Sequence, residues 1–355
     1  MSIKGGGTKT IGALLLKTRT IIALVLLVGA FTAMLAAQGI NFLNPLSLAT
    51  IAKHIAKTGI LGIGMTFVIL TGGIDLSIGA TVGLCGMVAG FLIRQGLPLP
   101  MFGVNVYYQV WAVILICLVI GALIGAVNGF LITRLGVAPF IATLGTMYIA
   151  RGFANILSGG ATYPDLMGKE ALGNTGFPIL GAGKFLELPI SVWIMIALFA
   201  IMAYIAKKTP LGRHIYAIGG NPRASRLSGI KVEKVTTYTY IFAGFCAAIV
   251  GLILASELVA SHPANGSTFE MNAIAAAVLG GTSLSGGIGT IGGTIIGSSV
   301  MGVLYDGMVM MNISEFWQNV FKGVVIILAI VLDQANQRMN ARMSLTEGKR
   351  AGKAA

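Results

Sequence analysis

Ten acidic or basic residues stand inside or beside long apolar runs of this chain: Lys53, Lys57, Asp75, Arg151, Glu257, Glu270, Asp306, Glu315, Lys322 and Asp333. A charge in hydrocarbon is costly, so such residues pair with one another, line a watery passage, or reach the interface on long stems. The chemistry they offer is that of a polar route for a solute, or of a proton relay. A relay needs a carboxylate deep in a span. Asp75 is the nearest candidate, yet it sits among glycines in T-G-G-I-D-L-S-I-G (71–79), near a helix end. The others fall near the ends of runs, where snorkelling and capping account for them. Lys53 and Lys57 are one helical turn apart and share a face. They line an outward vestibule or snorkel to the outer headgroups.

Catalytic chemistry has no foothold here. His54, His214 and His262 are far apart in sequence, and Cys85, Cys117 and Cys246 each lie in an apolar run. The cysteines read as small packing residues, not as a disulfide or metal set. No G-x-x-x-x-G-K-[ST], H-E-x-x-H or G-x-S-x-G occurs. Neither a catalytic residue, a metal nor a cofactor is expected, and a process driven by ATP would need another chain to hydrolyse it.

The elements that carry these residues are membrane helices. Of 355 residues, 56% are hydrophobic and 10% charged, and mean hydropathy is +0.89. Soluble domains run about 45–50% apolar and about 25% charged, so a soluble enzyme, a disordered chain and a secreted disulfide scaffold are excluded. Apolar runs fall at about Ile21–Ala37, Leu46–Leu70, Leu76–Ile93, Val110–Ile132, Phe140–Leu157, Ile190–Ala206, Val235–Ala255, Phe269–Leu279, Ile288–Met311 and Phe316–Leu332. This predicts an all-α, polytopic integral membrane protein of about ten transmembrane helices, some of them interrupted. The eighth run is short and is expected to be a half-helix completed by the Gly-rich stretch after it.

Net charge is +13. In a soluble protein that would suggest nucleic acid. Here 17 of the 24 Lys and Arg fall in the N-terminal tail 1–20, beside Arg134, in the loop 207–234 and in the C-terminal tail 336–355. That bias marks cytoplasmic segments, places both termini in the cytoplasm and leaves the loop 159–188 outside. One integral membrane domain, 21–335, is expected, with the lipid bilayer and no nucleic acid as its surroundings.

Two stretches share G-G-x-x-L-S-x-G, at 72–79 and 280–287. Tandem glycines with Ser and Asp break a helix and expose backbone groups that lipid cannot satisfy, so they must be buried in protein or line a cavity. The alternative is a plain loop at the cytoplasmic face. Gly121, Gly125 and Gly129, and Gly289, Gly293 and Gly297, put small residues on one helix face for close crossings. In the loop 207–234, Asn221 can N-cap a helix, Pro222 suits its first position and Gly229 its C-terminal cap. A helix Pro222–Ser228 is therefore predicted. It is too short to stand alone in water, and Arg223 and Arg226 point to a soluble partner or to anionic headgroups.

Five ordered blocks carry a resemblance over about Ile21–Leu332. They are G-I-L-G-I-G-M-T-F-V-I-L-T-G-G-I-D-L-S-I-G (59–79), V-N-G-F-L-I-T-R-L-G-V-A-P-F-I-A-T-L-G-T-M-Y-I-A-R-G (127–152), T-P-L-G-R-H-I-Y-A-I-G-G-N-P-R-A-S-R-L-S-G-I-K-V (209–232), M-N-A-I-A-A-A-V-L-G-G-T-S-L-S-G-G-I-G-T (271–290) and F-W-Q-N-V-F-K-G-V-V-I-I-L-A-I-V-L-D (316–333). The chain resembles the sugar-importing permeases of bacterial ABC transporters, of the ribose and galactose type. The resemblance implies an inner-membrane permease that pairs with a second copy, docks a cytoplasmic ABC ATPase, and receives its sugar from a periplasmic binding protein. Gly220, Asn221, Pro222, Arg223, Ala224, Arg226, Leu227, Ser228 and Gly229 would then form the ATPase coupling element. A ribose-like pentose is the expected substrate, with hexoses or polyols as alternatives. Lys53, Asp75, Ser77, Asn128, Glu270 and Asn272 are the candidate path residues. Lys53 and Lys57 depart from the uncharged polar residues expected there and leave room for an unusual or anionic substrate. The competing expectations are an ion-coupled carrier and a branched-chain amino acid permease; the G-G-N-P-R-A-S-R-L-S-G-I block favours sugars.

Overall fold

The structure, a computed structural model, describes the backbone of residues 6–328, 330 and 331, and side chains from residue 20 within that range. Asp333, the end of the tenth apolar run and the C-terminal tail lie outside the described residues, as do the first five residues of the N-terminal tail. The helices are α1 (Gly6–Ala36), α2 (Pro45–Leu70), α3 (Ile78–Arg94), α4 (Val110–Thr133), α5 (Pro139–Ile156), α6 (Ile179–Ala182), α7 (Ile190–Lys208), α8 (Pro210–Gly220), α9 (Pro222–Leu227), α10 (Val232–Leu258), α11 (Phe269–Leu279) and α12 (Ile291–Met310). A further helical run covers 315–328. Helices α2, α4, α7, α10 and α12 are long and apolar enough to span a bilayer, whereas α3, α11 and the apolar part of α1 are shorter.

Local chemistry sets the helix starts. Asn44 accepts a hydrogen bond from the Ser47 backbone N–H at 2.9 Å, with Pro45 following it, and so begins α2. Thr209 and Pro210 begin α8 in the same way, and Asn221 and Pro222 begin α9.

The connections gather at two poles. The hairpin pole holds the antiparallel pair β1 (Leu97–Leu99) and β2 (Val104–Val106). It also holds β3 (Tyr163–Pro164), which pairs with the segment Ala260–Ser261 after α10. Ser256 near the end of α10 donates to the Phe177 carbonyl at 2.6 Å and accepts from the Gly181 N–H at 2.7 Å, seating α6 on that end. The basic pole holds α8, α9, the start of α10 and the turn 280–290. There the Thr133 and Thr237 hydroxyls, at the end of α4 and the start of α10, meet at 3.3 Å.

Helix α10 runs through the centre against α2, α3 and α4, with Tyr240, Cys246, Ala247 and Val250 fully enclosed. The glycine ladders make the close crossings expected of them. Methyl groups on Gly121, Gly125 and Gly129 of α4 would run into α10 at Gly244, Tyr240 and Thr237; Gly293 and Gly297 of α12 abut Gly280 and Ala276 beside α11 in the same way.

The short helix α11 is completed differently from the sequence expectation. The Gly-rich stretch after it turns back into α12. The passage is continued by the non-helical residues 262–268 before it. These lie along one face of α3, where added Cβ atoms on Gly79, Gly83 and Gly86 would meet Gly266, the Asn265 and Pro263 carbonyls, and Ser261. Arg151 of α5 donates to the carbonyls of Asn265, at 3.0 Å, and Pro263. The physical reason is that irregular backbone away from water needs donors. Segment 262–268 finds them in the Arg151 guanidinium.

Candidate functional site

A cavity of about 260 Å³ opens among α2, α10, α11, α12 and the run 315–328. It is small beside typical ligand pockets. Its walls carry His54, Lys57 and Thr58 from α2, Tyr305 from α12, and Glu315 and Lys322 from the last run. Ser267, Thr268, Phe269 and Asn272 line it where the irregular segment passes into α11. The start of a half-helix thus faces a polar cavity, the arrangement by which broken helices present backbone groups to solutes.

The charges around this cavity are paired across long sequence separations. Glu257 takes Lys57 Nζ on one carboxylate oxygen at 2.6 Å and Lys53 Nζ on the other at 3.4 Å. Asp306 accepts from His54 Nδ1 at 2.7 and 2.9 Å. Lys322 lies 5.1 Å from the centre of the Tyr305 ring and interacts with Glu315. Snorkelling and capping, expected from the sequence for these residues, are replaced by pairing. Glu257 and Asp306 face their partners from another helix, whereas Glu315 and Lys322 share one run, and pairing offsets part of the cost of burying each charge. Lys53 and Lys57 thus share one carboxylate, Asp306 is taken by His54, and Glu315 stands beside Lys322.

The six sequence-nominated path residues separate into three places. Asn272 lines the cavity, and Lys53 stands behind it on Glu257. Glu270 turns instead toward α3, packing over Gly79 and interacting with Arg151. Asp75, Ser77 and Asn128 are brought together in a sealed network away from the cavity. Asp75 Oδ1 accepts from the Ser77 N–H at 2.9 Å and the Ser77 hydroxyl at 2.6 Å. Asn128 Nδ2 donates to Ser77 Oγ at 2.8 Å, and the Thr146 hydroxyl donates to Asn128 Oδ1 at 2.6 Å. All four residues are buried. The network ties the break between α2 and α3 to α4 and α5 through Asp75 Oδ1, while Asp75 Oδ2 stays buried without a hydrogen-bond partner.

Sequence reasoning kept His54, Tyr305 and Thr268 off the candidate path, and it counted Asp306 among the membrane charges without its partner. No local pattern marks them, because their partners lie far away along the chain. It also left 209–220 as loop, although Thr209-Pro210 carries the same start signal as Asn221-Pro222.

At the basic pole, α9 forms as Pro222–Leu227 with Ser228 as its cap, one residue shorter than predicted. Asn221 Oδ1 accepts from the Ala224 N–H at 2.9 Å, and Gly229 takes the positive φ of 83° that ends the helix. Arg226 pairs with Glu233 at 2.6 Å, and Leu227 is 84% exposed. The two G-G-x-x-L-S-x-G stretches meet here. The Gly287 N–H donates to the Leu70 carbonyl at 3.0 Å, and the Tyr216 hydroxyl of α8 donates to the Gly289 carbonyl at 2.9 Å.

Residues 47–330 match the family model described as the permease component of the branched-chain amino acid transport system. The chain is 43% identical to the ribose import permease protein RbsC of Bacillus subtilis, over 83% of this chain and 86% of that protein. It is 36% identical to the protein of the same name from Haemophilus influenzae, over 91% and 94%. It is 34% identical to the xylose transport system permease protein XylH of Escherichia coli, over 84% and 87%. No solved structure matches the chain.

Proposed function

The chain belongs to the permease-component family of the branched-chain amino acid transport system, and we propose that it is the membrane permease of an ABC importer for a neutral monosaccharide, a ribose-like pentose first. It is a multi-pass inner-membrane transport subunit. The relatives named for ribose and xylose, at 34–43% identity over most of the chain, support sugars over amino acids. The cavity carries the substrate reading. It is partly enclosed, lined by both apolar and polar side chains, floored by the start of a half-helix, and bordered by charges that have partners. Hydroxyl groups can exchange hydrogen bonds with Lys57, Asn272, Thr268 and Tyr305 there without bringing a charge that needs a partner. Against the anionic substrate left open by Lys53 and Lys57 stand the sugar-named relatives and the hold of Glu257 on both lysines, although one carboxylate offsets only one of the two charges.

Ten crossings fit the two poles: α1, α2, α3, α4, α5, α7, α10, α11 with 262–268, α12 and the run 315–328. The basic pole then faces the cytoplasm with both termini, and the cavity opens toward the periplasm. Residues 21–335 form the permease domain. A second copy completes the path, and a binding protein delivers sugar at the hairpin pole. A cytoplasmic ATPase seats α9, with Leu227 and Arg223 leading. Asn272 and Lys57 meet the sugar, with Lys53 behind them on Glu257, while Asp75, Ser77, Asn128 and Glu270 hold the broken helices beside the path. An ion-coupled carrier is disfavoured by the same geometry: Glu257 already holds Lys53 and Lys57, Asp306 already holds His54, and Asp75 is sealed.

The test is uptake of labelled pentoses, hexoses and polyols by cells with and without this chain. Dependence on the chain, with loss on ATP depletion at a maintained proton gradient, supports the importer. Loss only on gradient collapse supports the ion-coupled carrier instead.

A further inference from the structure

Three segments meet at the basic pole backbone to backbone, with no side chain between them. Gly219, in the last turn of α8, leaves no room for a methyl group, which would overlap the Leu70 carbonyl and the Gly287 N–H. Gly287 donates to that same Leu70 carbonyl at 3.0 Å. A Cβ on Gly286 would lie 3.1 Å from the Gly219 carbonyl oxygen and 3.2 Å from the Gly72 nitrogen. One turn earlier on α8, Tyr216 ties down Gly289.

Each segment ends at a break. Leu70 closes α2 just before the irregular residues 71–77, which the Asp75 network braces to α4 and α5. The turn 280–290 follows the half-helix α11, whose start faces the cavity. Helix α8 passes through Asn221 directly into α9. A side-chain contact can absorb a displacement by changing rotamer. Backbones in direct contact cannot, and close-packed interiors transmit strain.

We propose that this junction is the transmission between the ATPase-docking element and the substrate cavity: α8, the end of α2 and the turn 286–289 move as one body, with Gly219 and Tyr216 as its positioning residues. The proposal rests on the reading of α9 as the ATPase contact. Motion delivered to α9 then reaches both interrupted passages at once. One arm runs through α2, which carries His54 and Lys57; the other runs through α11, which carries Asn272.

The experiment uses the assembled importer in vesicles. A cysteine at Arg223 first reports, by cross-linking, whether α9 touches the ATPase. Gly219→Ala and Tyr216→Phe are then compared for sugar carried per ATP hydrolysed. Gly219→Ala is expected to keep the cross-link and the hydrolysis while uptake per ATP falls roughly tenfold or more, the scale of a coupling between distant sites. Tyr216→Phe, which removes one hydroxyl and does not threaten folding, is expected to lower the same ratio severalfold. Spin labels on Ala217→Cys and Ile288→Cys are expected to keep one distance in nucleotide-free and ATP-bound states. A normal transport ratio in both variants, or a label distance that changes with nucleotide, overturns the transmission while the docking reading stands. Absence of the cross-link in an importer that carries Arg223→Cys alone overturns both.

Discussion

Glu257 of α10 serves two lysines on the facing helix, holding Lys57 at 2.6 Å with one oxygen and Lys53 at 3.4 Å with the other. The two pairs differ in surroundings. The Lys57 side chain is 7% exposed and that of Lys53 24%, so the carboxylate compensates a buried ammonium in one case and a half-buried one in the other.

Removing that carboxylate strands Lys57. Glu257→Gln is expected to destabilise the protein by about 3 kcal/mol, the scale for leaving one buried charge unpaired. A thermal melt in detergent checks it. The double variant Lys57→Met with Glu257→Gln should recover most of the loss, because the stranded charge goes with its partner. A double variant as unstable as Glu257→Gln would assign the effect to packing of Glu257 itself.

The charge balance around the cavity makes a prediction about substrate. Neutral pentoses should compete with the transported sugar, and sugar acids of the same carbon skeleton should not. Their carboxylate would give up its water in a site where Glu257 already competes for both nearby lysines and Glu315 stands beside Lys322. Competition uptake in whole cells reads this directly. Equal competition by the acid would place an uncompensated cation in the path, with Lys53→Met then expected to abolish it.

Arg151 tests the broken passage. It holds the carbonyls of Pro263 and Asn265 on the segment that continues α11. Arg151→Met preserves much of the side chain's length and apolar stem while removing both donors. Uptake is expected to fall by about tenfold or more, since each orphaned buried carbonyl costs roughly 1–3 kcal/mol. A cysteine at Ser267 should become more reactive toward aqueous thiol reagents in that background. Unaltered labelling and unaltered uptake would leave Arg151 without a part in seating the segment.

What could be read from the sequence followed the range of each signal. Helix α9 was legible because Asn221, Pro222 and Gly229 act within one turn of themselves. Close crossing along Gly121, Gly125 and Gly129 was legible because a four-residue ladder defines a face whatever lies opposite. The completion of α11 was not. Residues 262–268 have no apolar period, and what holds them is Arg151, more than a hundred positions away. Lys57 with Glu257 and His54 with Asp306 were hidden for the same reason, their partners being 200 and 252 positions distant. The Asp75 network was half visible: Asp75 and Ser77 lie in one motif, but Asn128 and Thr146 reach it only after α4 and α5 pack beside α3. Helix α8 was missed although its Thr209-Pro210 start is as plain as that of α9.

The exposed end of α9 supplies the last expectation. Leu227 is 84% exposed on a six-residue helix whose other fixed points are the Asn221 cap and the Arg226 pair with Glu233. An apolar side chain held in water at the tip of so short an element has no folding role there, so its removal should leave stability unchanged. Leu227→Asp is expected to keep the melting temperature and the membrane level of the permease, and to lower both ATPase association and uptake by roughly tenfold or more, the loss of a central apolar contact at an interface. Arg226→Glu should act differently. It removes the partner of Glu233 and sets a second carboxylate near it in place of an ion pair, so it disturbs the geometry of α9 itself. Pull-down of the ATPase separates the two variants when Glu233→Arg is added. Reversing the pair should restore Arg226→Glu, and it should do nothing for Leu227→Asp.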